Sequence, residues 1–80
     1  MRVYRIAQSV VNGYDTYDSA VVIATSSFRA RRIHPNGGGR PLNESRGDWA
    51  KTPDDVTAEL IGDARANAVE GVVCASFNAG

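Results

Sequence analysis

Ser19-Ala20-Val21-Val22-Ile23-Ala24-Thr25-Ser26-Ser27-Phe28-Arg29-Ala30-Arg31-Arg32-Ile33-His34-Pro35 is the stretch on which the fold turns. Its first seven residues carry little polarity on either side, so they read as a well-covered strand. Thr25-Ser26-Ser27 then supplies side-chain oxygens suited to cap a helix N-terminus. Phe28 to His34 gives two helical turns at most. Ala30 and Ile33 share one face at i and i+3, Arg29 and Arg32 another, with Arg31 beside them. Arg31, Arg32 and His34 fall at the negative end of the helix dipole, and Pro35 stops the helix. A strand running straight into a short basic helix is the centre of the chain.

Upstream, Arg2 to Val11 alternates Tyr4, Ile6 and Gln8 against Val3, Arg5 and Ala7, the period of a strand. Asn12-Gly13 tolerates positive φ at both positions and predicts a hairpin turn. Tyr14 to Asp18 reads as a loop, because two aspartates in five residues resist a central strand. Downstream, Pro35 to Pro53 is the loosest stretch. Asn36-Gly37-Gly38-Gly39 cannot hold regular structure cheaply, and Trp49 is the one large apolar side chain able to pin this connection to the domain. Thr52-Pro53-Asp54-Asp55 reads as a cap with proline in the first helical position. Val56 to Ile61 alternates as a third strand ended by Gly62, Asp63 to Glu70 is a turn or short helical piece, and Gly71 to Asn78 is a fourth strand. The predicted fold is α+β, with order β-β-α-β-β. It has a four-stranded antiparallel sheet with hairpins at both ends, one short helix on one face and a long Gly-rich loop. All 80 residues belong to one domain in this reading.

Composition narrows the function. A chain of this size buries only a little over ~60% of the surface its unfolded form exposes, so a deep cofactor-enclosing pocket is not expected. Nine basic and nine acidic residues balance, which argues against a dedicated nucleic-acid binder and against a wholesale DNA mimic. The balance hides an asymmetry. Residues 1–43 hold six arginines and two aspartates, whereas residues 44–80 hold seven acids and three bases, a pattern that suits one basic and one acidic patch. Cys74 is the single cysteine, so neither an internal disulfide nor a thiolate-rich zinc site is expected, and it reads as a small core residue. No apolar run approaches a membrane span, and the alternating start does not resemble a signal peptide, so a cytosolic protein is expected.

Reactive constellations are scarce. His34 is the only histidine, and a Cys74–His34 pair needs the fold to bring the two together. Asp15/Asp18 and Asp54/Asp55 are carboxylate pairs in places that favour aspartate for backbone hydrogen bonding. Gly37-Gly38-Gly39-Arg40 lacks the Lys-Ser/Thr ending of a phosphate loop, and no strand leads into it. No catalytic, cofactor-binding or metal-binding residue is therefore assigned, and no small-molecule substrate is expected. Two surface patches remain. Arg29, Arg31, Arg32 and Arg40, with His34 among them, form a basic cluster suited to phosphate or carboxylate. Tyr14 and Tyr17 beside Asp15 and Asp18 form an acidic patch with the aromatic residues that interfaces favour.

Three segments carry a resemblance: Gly13-Tyr14-Asp15-Thr16-Tyr17-Asp18-Ser19-Ala20-Val21-Val22, Ala30-Arg31-Arg32-Ile33-His34-Pro35 and the closing Gly71 to Gly80. The chain resembles small phage- and prophage-encoded proteins, and among them the anti-CRISPR proteins directed at type I-C systems. The resemblance implies a monomeric, stoichiometric inhibitor in the host cytoplasm. It would bind protein subunits of the RNA-guided Cascade complex and stop target DNA recognition. Such complexes grip DNA through basic channels, so acids beside aromatics are the expected contacts: Tyr14, Asp15, Tyr17, Asp18, Asp54, Asp55, Glu59 and Asp63. The alternative is a phage accessory protein that binds nucleic acid weakly through the arginine-rich helix. That reading predicts affinity falling steeply with salt.

Overall fold

In β1 (Arg2–Ala7), Tyr4 and Ile6 are buried while Arg5 between them is exposed. β2 (Thr16–Ala24) does the same with Ala20, Val22 and Ala24. The two strands pair antiparallel, Tyr4 opposite Val22 and Ile6 opposite Ala20, so the apolar positions of both fall on one face. This computed structural model describes Met1 to Ala79. β3 (Thr57–Asp63) pairs with β1, and β4 (Gly71–Asn78) pairs with β2. The result is the expected α+β chain with a four-stranded antiparallel sheet, but its spatial order is β3-β1-β2-β4.

That order corrects the predicted second hairpin. β3 and β4 follow one another in sequence yet occupy opposite edges. The link from Ala64 to Glu70 exceeds the two to five residues of a typical hairpin. Crossing three strand spacings needs only about 14 Å, well within the reach of seven residues. At its start Ala64 N–H donates to the Met1 carbonyl, 3.1 Å, which continues the β1–β3 pairing by one more bond before the link departs.

Other boundaries move for local reasons. β1 ends at Ala7 and not at Val11, because the Gln8 side chain takes over as the organiser of the turn. Its Oε1 accepts from Val11 N–H (2.8 Å), and its Nε2 donates to the carbonyls of Val11 (2.7 Å) and Tyr17 (2.8 Å). The connection from Gln8 to Asp15 is thus a folded loop and not a two-residue turn, with Gly13 at φ 105° and Asp15 at φ 60°. β2 starts at Thr16, so Tyr17 and Asp18 lie in a strand where a loop was expected. A β-bulge at Asp18, between the pairs Tyr17–Phe77 and Ser19–Ser76, lets the aspartate fit. A second bulge at Val73 breaks the simple alternation of β4. Gly62 does not end β3, which runs on to Asp63.

The helix, α1, covers only Ser27–Ala30. The Ser26 hydroxyl accepts from Arg29 N–H at its start, as the serine pair predicted. It closes four residues before the predicted end. Arg32 N–H and Ile33 N–H bond three residues back, in the tighter 3₁₀ manner. The residue before a proline also avoids helical backbone. His34 and Pro35 are buried instead of sitting at an exposed helix end.

The face bearing Tyr4, Ile6, Val22 and Ala24 is covered by Ala30 of α1 and mainly by the connection from 31 to 56. Trp49 is completely buried there, as expected of its anchor role, with Leu42, Ala50 and Val56 around it. Two short 3₁₀ turns, Leu42–Glu44 and Pro53–Asp55, shape this connection. No helix among the described residues is long and apolar enough to cross a membrane.

Candidate functional site

β1 finishes, β2 and β3 begin, and β4 finishes at one end of the sheet, as the pairs Ala7–Thr57 and Thr16–Asn78 show. Four of the predicted acids collect toward this end. Asp15 sits in the loop, Asp18 near the start of β2, and Asp54 and Asp55 in the 3₁₀ turn before β3. All four are exposed, and none makes an ion pair among the described residues. The Ser76 hydroxyl bonds to the Asp18 carboxylate and holds it below the ordinary aspartate value. Tyr14 stands beside them, 76% exposed. A groove of about 390 Å³ runs between the Gln8–Thr16 segment and the end of β4, with Asp18 in its wall.

The other predicted contacts separate from this group. Tyr17 turns toward the covered face, where its ring meets His34 edge-on at 6.2 Å between centroids and Phe77 at 4.7 Å. It is half-buried and packs against the core. The bulge at Asp18 reorients it, which strand periodicity alone does not reveal. Glu59 stands opposite Arg5, and Asp63 opposite Arg2. Those two acids therefore face cations across the ladder and not open solvent alone.

At the far end of the sheet, α1, the glycine run and the start of β4 enclose a cleft of about 370 Å³. It gathers three of the four predicted arginines. Arg29 makes a two-pronged pair with Glu70, Nε to Oε1 at 2.9 Å and Nη2 to Oε2 at 2.7 Å. The pair raises the Arg29 pKa and lowers that of Glu70. Arg32 lies over the Phe28 ring, 3.5 Å from its centroid, and donates from Nη1 to the Phe28 carbonyl. Arg40 reaches Asp48, Nη1 to Oδ2 at 3.3 Å. Arg31, by contrast, is half-buried and does not line the cleft. The roles of Glu70 and Asp48 were not legible in the sequence, since Arg29 and Glu70 lie 41 residues apart. The Phe28–Arg32 pair follows the i, i+4 rule and could have been read.

His34 forms part of the cleft lining, with its side chain fully buried. Its Nδ1 accepts from Asn36 N–H at 3.0 Å, which puts the proton of the neutral ring on Nε2. Nε2 lies 3.3 Å from Asp48 Oδ1 but finds no aligned hydrogen-bond acceptor among the described residues. Burial pushes the His34 pKa down. Asp48 opposes that shift, and Arg40 adds to it. Cys74 is exposed, a correction to its predicted place in the core. It pairs with Val21 on the face of the sheet away from His34, so the two form no nucleophile–base pair. Among the described residues no group of three or more metal-ligating side chains converges.

No protein-family model matches the chain, and no curated protein or solved structure matches it.

Proposed function

We propose that this protein acts by docking its acidic end onto a basic surface of another macromolecule, as a stoichiometric inhibitor of the anti-CRISPR type. Its target in this reading is the Cascade complex, and docking there denies target DNA its binding channel. One observation carries the proposal: Asp15, Asp18, Asp54 and Asp55 sit around one end of the sheet, with no ion-pair partner among the described residues, beside an exposed tyrosine. Unpaired like charges gathered at one place repel one another, and a cationic partner relieves that repulsion. A surface evolved to grip phosphates is such a partner. Tyr14 adds a large, stiff contact area of the kind that anchors interfaces.

The test is co-purification of Cascade subunits with the tagged protein from cells expressing both. Recovery in fixed ratio, together with loss of target DNA binding by the complex, is the expected result. Asp18→Lys combined with Asp54→Lys and Asp55→Lys slows association by about tenfold or more, because charge complementarity acts mostly on the on-rate. Failure to recover any subunit removes the proposal.

A further inference from the structure

We propose that the cleft between α1, Gly37–Gly39 and the start of β4 binds the phosphate of a nucleotide-sized phosphoester. This inference uses none of the acids, nor the tyrosine, on which the docking proposal rests. Three observations converge. The first is charge. Arg29, Arg32 and Arg40 all line the cleft, against Glu70 within it and Asp48 beneath it. The two acids do not cancel the site. Each guanidinium carries five N–H donors, and the carboxylates engage only part of that set on Arg29 and Arg40 while fixing their orientation. Arg32 has no carboxylate partner among the described residues, and Phe28 beneath it holds its plane in place. An oriented guanidinium with free donors suits the geometry of phosphate oxygens.

The second observation is the backbone. Gly37, Gly38 and Gly39 all adopt positive φ, between 66° and 79°, which three successive side-chain-bearing residues would resist. Gly37 N–H donates to the His34 carbonyl and Arg40 N–H to the Gly37 carbonyl. The N–H groups of Gly38 and Gly39 have no partner among the described residues. Free amides on a turn beside arginines are a recurrent means of holding anions. The third is size. At about 370 Å³ the cleft falls in the range of ligand sites, roughly 300–1,000 Å³. Ile33, Pro41 and Val72 give it an apolar wall for the body of the ligand.

Amide and arginine NMR shifts of the full chain, followed during titration with AMP, with adenosine and with a single-stranded oligonucleotide carrying or lacking a 5′-phosphate, test the site. AMP at about 10 mM, above the millimolar Kd of a weak site, shifts the Gly38 and Gly39 amides and Arg32 Nε, and adenosine does not. Arg32→Gln, at an exposed position, folds normally and weakens AMP binding about tenfold or more. Arg32→Lys keeps the charge, loses the fork and falls between. A phosphorylated strand that binds tighter than AMP assigns the phosphate to a nucleic acid, and equal affinity assigns it to the free nucleotide. Unmoved glycine amides, equal shifts with adenosine, or unchanged affinity in folded Arg32→Gln overturns the proposal.

Discussion

The two faces of the sheet are written by the same alternation and meet opposite fates. On one face Tyr4, Ile6, Ala20, Val22 and Ala24 are buried under α1 and residues 31–56. On the other, Val3, Val21 and Ile23 stay only half-buried beside the exposed Arg5 and Cys74. Strand residues alone do not separate them, since Val21 and Val22 are neighbours of identical chemistry. The difference comes from the irregular connection, whose Trp49 supplies the bulk that seals one face. In so small a protein, the strands supply half of the buried core residues, and the cover that seals them comes mainly from a connection with little regular structure.

The sharpest way to break this contrast is Trp49→Ala. Removing the sealing side chain costs about 3–5 kcal/mol, enough to leave the protein largely unfolded, as chemical denaturation will show. Trp49→Phe costs far less, because it keeps an aromatic ring and removes a buried indole N–H that lacks a partner among the described residues. On the open face, Val21→Ala changes stability by less than about 1 kcal/mol. A loss there as large as that of Trp49→Ala erases the distinction between the faces.

A smaller effect concerns pH. His34 lies on the sealed side, with Asp48, Arg40 and Tyr17 facing it. Its folded pKa is lowered from the ordinary 6.5. Below pH 6.5 the unfolded chain therefore takes up the proton more readily than the folded one. The His34 contribution is intact above 6.5 and is lost as pH falls toward the lowered folded value. Glu70 and Asp18 act later, since their ordinary values are 4.5 and 3.8. The single histidine gives one imidazole NMR signal, expected to titrate below 6.5. A midpoint at or above 6.5 reverses the sign.

The smallest effects belong to the open surface. Cys74 reacts with a thiol reagent in the native protein at the rate of an exposed thiol, and Cys74→Ser leaves the melting temperature nearly unchanged. A thiol that reacts only after denaturant is added would show this face covered.

Much of the sheet was legible because local signals agreed with it. The alternation of Tyr4, Arg5 and Ile6 and the run from Ala20 to Ala24 each identify a strand with a definable inner side. The serine cap before Phe28 and the anchor role of Trp49 were equally readable. The candidate sites were legible only as residue types. Aspartates at 15, 18, 54 and 55 were visible, but their meeting at one end depends on strand order. Tyr17 was misplaced because a bulge turned it inward. Arg29 and Arg32 were read on one helical face and Arg40 on the glycine run, but that the three line one cleft, with Glu70 entering from beyond β3, was not.

Sequence by itself determined which segments extend, where the helix begins and which large side chain must be buried, because period, capping and apolar bulk act over a few residues. Tertiary structure alone decided that β3 and β4 take opposite edges, that residues 31–56 choose one face to cover, and that Arg29 meets Glu70. Those outcomes depend on contacts between distant parts of the chain, where loop reach and competition for a single core select the partner.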